Sequence, residues 1–101
     1  MLIILFRSKL TTAAGDDYAA MADAMLDRAR AFEGFVDVKS FTAEDGERLS
    51  VVWWRDQASL TAWAADARHQ GAKALGRQKW FEYYKMDVAE IVRVSEFQRT
   101  S

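Results

Sequence analysis

The stretch Leu49-Ser50-Val51-Val52-Trp53-Trp54 constrains this chain more than any other. Successive side chains of a β-strand point to opposite faces. Leu49, Val51 and Trp53 therefore face one way, and Val52 and Trp54 the other. The N-terminal run repeats the pattern, with Leu2, Ile4 and Phe6 opposing Ile3 and Leu5. Near the C-terminus Tyr84, Met86 and Val88 oppose Phe81, Tyr83 and Ile91. A sheet with one wet face alternates apolar and polar residues. These strands do not alternate cleanly, so both faces of the expected sheet need cover.

The chain supplies cover for one face. Tyr18, Met21, Ala22, Met25, Ala29 and Phe32 recur at helical spacing and build one apolar stripe. Asp16 or Asp17 is the expected cap of that helix, and Gly34 its stop signal. Met1 to Leu10 reads as the first strand and Phe35 to Thr42 as the second. Asp45-Gly46 supplies a hairpin turn, and Arg48 to Arg55 the third strand. Asp56 is an N-cap for a short helix carrying Leu60 and Trp63. A second helical piece is expected over about Ala67 to Lys79, with His69, Ala72, Gly76 and Trp80 on one side. Phe81 to Phe97 reads as a long last strand. The order is β-α-β-β-α-β: an α+β, ferredoxin-like antiparallel sheet with helices on one face.

With 101 residues the chain is expected to form a single domain, residues 1–101, so no segment remains to cover the second face. The expected cover is a second copy, a homodimer packed sheet on sheet. Such packing buries roughly 600–1,000 Å² of apolar surface, worth about 15–25 kcal/mol before the costs of association. The net charge of −1, with both signs interspersed, argues against nucleic acid as the main partner. The apolar start breaks at Arg7, too short for a signal or spanning segment, so no membrane partner is expected. The chain has no cysteine, which excludes disulfides and suits a cytoplasmic location. A single histidine excludes paired-histidine metal motifs, and no metal site is expected. Asp16-Asp17 and Glu44-Asp45 read as a cap and a turn rather than as catalytic pairs.

The segments "FEGFVDVKSF", "VVWWRDQASLTAW" and "RHQGAKALGRQKWFEYYKMDVAEIVRV" together resemble the antibiotic biosynthesis monooxygenase superfamily. The resemblance covers nearly the whole chain. It implies a dimeric α/β barrel, with a pocket between helices and sheet in each subunit. It also implies a cofactor-independent monooxygenase that uses O₂ on an aromatic or quinone-like small molecule. Trp63 and His69 are then the catalytic candidates: Trp63 shapes the pocket and His69 accepts a phenol proton. A neutral imidazole suits that step, since its ordinary pKa is about 6.5. Trp53, Trp54, Trp80, Tyr83 and Tyr84 are the candidate substrate walls, because aromatic faces suit flat electron-rich rings.

Two alternatives stand beside this. A tryptophan on a helix is also an ordinary core residue, and a lone histidine an ordinary surface or structural one. The chain would then be a non-catalytic small-molecule-binding member of the fold. The haem-degrading branch of the superfamily carries an Asn, a Trp and a haem-ligating His, with haem as substrate. Trp63 matches its spacing. The chain has no asparagine, however, Arg7-Ser8 stands where that residue is implied, and the ligand position falls near Lys73, four residues beyond His69.

Overall fold

The computed structural model describes residues 1–66, 71–74 and 76–100. Four antiparallel strands form one sheet: β1 (Leu2–Leu10), β2 (Phe35–Thr42), β3 (Arg48–Trp54) and β4 (Phe81–Glu90), in the spatial order β2-β3-β1-β4. Helix α1 (Asp16–Ala31) and helix α2 (Gln57–Ala65) are the connections on one side. A further helical segment at 71–74 and a π-helical turn at Gly76–Trp80 lead into β4. The expected α+β, ferredoxin-like layout is what the chain adopts.

Local chemistry explains the element ends. The side chain of Asp56 accepts the Ser59 N–H at 2.9 Å and caps α2 as expected. Helix α1 differs: its N-cap is Gly15, and neither Asp16 nor Asp17 caps it. One oxygen of Asp17 accepts the Tyr18 N–H at 2.8 Å in the first turn, and the other serves a tertiary contact described below. Gly34 has φ +88°, and its carbonyl accepts the Arg55 N–H at 2.7 Å, so this left-handed residue turns the chain from α1 into β2. Gly46, at φ +91°, closes the β2–β3 hairpin, and the Asp45 carboxylate accepts the Glu47 N–H at 2.9 Å.

Register decides which residues share a face. Leu2 pairs with Trp54, Ile4 with Val52 and Phe6 with Ser50. Ile4, Ala29, Trp54, Leu60 and Trp63 form the buried core between the helices and this inner face. Leu5 pairs with Val51 and Ile3 with Trp53 on the outer face, which no helix of the chain covers among the described residues. Val51 is buried there, and Ile3, Leu5, Leu49 and Trp53 are half-buried.

The last strand departs from expectation twice. It ends at Glu90, not Phe97, because Glu90 pairs with Leu2, where β1 begins. The Ile91 N–H still reaches the Met1 carbonyl at 3.0 Å, and among the described residues none beyond it joins the sheet. Val92, Val94 and Phe97 are consequently exposed. The register also shifts at Lys9/Leu10, opposite the start of β4. That shift turns the Phe81 ring to the inner face, against Phe6 and Tyr84, rather than to the outer face with Tyr83.

Candidate functional site

A cavity of about 390 Å³ lies between α1 and the inner face of the sheet, within the size range of small-molecule sites. The apolar stripe of α1 forms one wall through Met21, Ala22, Met25 and Ala29. Ile4, Phe6 and Val52 supply the sheet wall. Trp63 closes one side from α2, and Ala72 and Lys73 contribute from the 71–74 segment.

An aromatic cluster lines the part nearest the start of α1. Tyr18 lies edge-on to Trp80 at 5.5 Å and to Phe81 at 6.0 Å, and Phe6 meets Tyr84 at 5.4 Å. Trp80 is held from outside the cavity. One oxygen of the Asp17 carboxylate accepts from Lys79 Nζ at 2.6 Å and from Trp80 Nε1 at 3.3 Å. These two contacts, Lys79 the larger, lower the Asp17 pKa from 3.8 to about 2. Thr11 completes the latch by donating its N–H to the Trp80 carbonyl and its hydroxyl to the Lys79 carbonyl, both at 2.7 Å. Gly76 is buried below, where a Cβ would stand 2.7 Å from the Phe81 ring. This close packing explains the glycine at position 76.

The polar lining gathers at the sheet. The hydroxyls of Ser40 and Ser50, on neighbouring strands, are 3.0 Å apart. Arg48 reaches over Tyr18, its Nη1 donating to the phenol oxygen at 3.4 Å. Asp23 and Lys73 are the remaining charged lining groups among the described residues.

The sequence-derived candidates divide. Trp63, Trp80 and Tyr84 line the cavity. Trp54 is fully buried and packs on Trp63, with ring centroids 6.1 Å apart, and on Phe35. It belongs to the core and leaves no surface for a ligand. Trp53 is removed from the site, because it faces outward beside Ile3. Tyr83 also faces outward, its hydroxyl donating to Glu47 at 2.7 Å. That carboxylate, itself held low mainly by Arg7, raises the Tyr83 pKa. His69 lies outside the described residues. The sequence does not single out Arg48, Ser40 or Ser50, and it marks Lys73 only as the place of the haem-branch ligand. A strand-end arginine and two strand serines carry no local signal until the sheet register sets them on one face.

Residues 1–75 match the antibiotic biosynthesis monooxygenase family. The uncharacterized protein YqjZ of Bacillus subtilis is 32% identical over 84 residues, covering 83% of this chain and 74% of that protein. The jasmonate monooxygenase of Pyricularia oryzae is 29% identical over 98% of this chain, which spans only 48% of that larger protein. A putative antibiotic biosynthesis monooxygenase from Deinococcus radiodurans superposes with TM-score 0.84 at 11% identity, covering 98% of this chain and all of that one. The cofactor-independent oxygenase SnoaB of Streptomyces nogalater, in a mutant form, superposes with TM-score 0.77 at 10% identity, covering 92% and 94%. At such identities the structural likeness is one of fold. The match over residues 1–75, supported by the 32% identity to YqjZ, places this chain in the antibiotic biosynthesis monooxygenase family.

Proposed function

We propose that this chain is a small oxygenase that binds a flat aromatic or quinone-like compound in the cavity and oxidises it with O₂, without metal or flavin. The observation that carries the reading is the aromatic cavity itself, in a member of this family. Trp63, Trp80 and Tyr84 contribute aromatic lining against which a flat ring can pack. His69, on the chain segment just before 71–74, is the assigned proton acceptor. For a phenol oxidised to a quinone the balance closes: one oxygen atom enters the product, the other leaves as water, and the substrate supplies all four electrons. The working unit is a single domain paired through the outer sheet faces, in the cytoplasm.

Oxygen uptake with a panel of phenols and quinols tests this. One O₂ consumed per substrate, and a slower rate in Trp63→Phe and His69→Ala, are expected. No uptake with any member would leave the non-catalytic binding reading. The haem-degrading reading has less support, since Arg7-Ser8 stands where the Asn of that branch is implied and its ligand position falls near Lys73. Ser8 is buried without lining the cavity, and Lys73 lines it. A haem titration with no Soret shift removes that alternative.

A further inference from the structure

We propose that the ligand of this cavity carries a carboxylate, and that Arg48 holds it. The proposal deepens the reading above by naming an acidic aromatic compound as the ligand class, and rests on the cavity being the binding site.

The arginines that contact a carboxylate here define what Arg48 lacks. Arg7 binds Glu47 at 2.8 Å, Arg28 binds Asp66 at 2.6 Å, and Arg55 binds Asp56 at 3.1 Å. Arg48 is half-buried and lines the cavity, yet among the described residues it meets no carboxylate. Its contacts are the Tyr18 hydroxyl at 3.4 Å, a long hydrogen bond, and the Tyr18 ring at 5.9 Å. A guanidinium has five donors in a planar fork, and one long bond to a phenol leaves most of them open to a ligand. The fork matches a carboxylate through two parallel hydrogen bonds.

The surroundings supply the rest. Ser50 lies two residues along β3 from Arg48 on the same face, and Ser40 pairs with it across β2. Since these two hydroxyls bond to each other at 3.0 Å, one O–H of the pair remains free to donate on the face that also carries Arg48. The charged lining is Arg48 and Lys73 against Asp23 alone among the described residues, so the cavity has a positive balance. Tyr18 joins the two halves of the site, since the ring beneath Arg48 also abuts Trp80 and Phe81. A carboxylate on Arg48 therefore sets an attached flat ring among the aromatic walls.

The test compares 2-naphthoate with its uncharged methyl ester by calorimetry on the intact chain. The acid should bind about ten- to a hundred-fold tighter, the worth of a charged hydrogen bond pair. Arg48→Gln should remove that preference while leaving the ester within about two-fold. Equal affinity of acid and ester for the wild-type chain overturns the proposal without any variant. An unchanged preference in Arg48→Gln overturns it as well. If neither probe binds, the cavity reading falls and the proposal with it. Binding of the acid without O₂ uptake would sink the oxygenase reading alone.

Discussion

Gly34 and Gly46 hold nearly the same left-handed backbone, φ +88° and +91°, in different surroundings. Around Gly46 nothing lies within 4 Å of an added Cβ. At Gly34 an added Cβ would fall on the Cβ and Oγ of Ser59, a buried residue in the first turn of α2. Alanine at either site incurs the left-handed penalty of about 1–2 kcal/mol. Only Gly34→Ala adds overpacking, a further ~1–3 kcal/mol, because α2 must shift off the α1–β2 turn or Ser59 must move. Urea unfolding of both variants should therefore show Gly34→Ala losing roughly 1–3 kcal/mol more than Gly46→Ala. Each kcal/mol corresponds to about 4–8 °C in melting temperature for a domain near this size. Ser59→Gly in the Gly34→Ala background should recover the added loss, less the roughly 0.5–1 kcal/mol that a glycine costs within a helix. Equal losses at the two glycines would refute the close approach of α2 to the α1–β2 turn. The consequence reaches the site, because α2 carries Trp63 into the cavity.

Acid should destabilise the fold late. Asp17 and Asp56 are both lowered from 3.8 to about 2, Asp17 chiefly by Lys79 and Asp56 chiefly by the Ser59 N–H. A depressed carboxyl contributes stability above its unfolded pKa and loses it as pH falls toward the folded value. Their share of any urea-midpoint loss should therefore fall between about pH 4 and 2, and Asp17→Asn and Asp56→Asn should flatten it; a drop at those sites above pH 5 would contradict the assignment. Gly76→Ala should cost about 1–3 kcal/mol through the Phe81 ring, and Phe81→Leu should relieve it in the double variant, both read by thermal unfolding. The outer sheet face should hold two copies together, so the chain should sediment at twice 11.5 kDa. Leu5→Lys, opposite Val51 at the centre of that face, should release monomer at micromolar concentration; a wild-type monomer would refute the pairing.

Local rules carried far in this chain. The stripe Tyr18, Met21, Ala22, Met25, Ala29 was legible as the cavity-lining face of α1, because helical spacing alone brings those residues together. Asp56 and Asp45-Gly46 were legible for the same reason: a cap and a tight turn are decided within four residues. The element order followed, and with it the sheet. What lay beyond reach was long-range. Trp53 and Trp54 are neighbours of the same type, and nothing local says which faces the helices; pairing of Trp54 with Leu2 and stacking on Trp63 decide it. Phe81 changes face through a register shift opposite β1, and β4 stops at Glu90 because its partner strand begins at Leu2. Asp17 looked like a cap and became a latch for Trp80, 63 residues away. Arg48 gained a role only when the register set it beside Ser50 and over Tyr18. Spacing along the chain determined which residues form each element. Which side chains meet across the cavity was decided by strand register and helix docking, and those depend on contacts far apart in sequence.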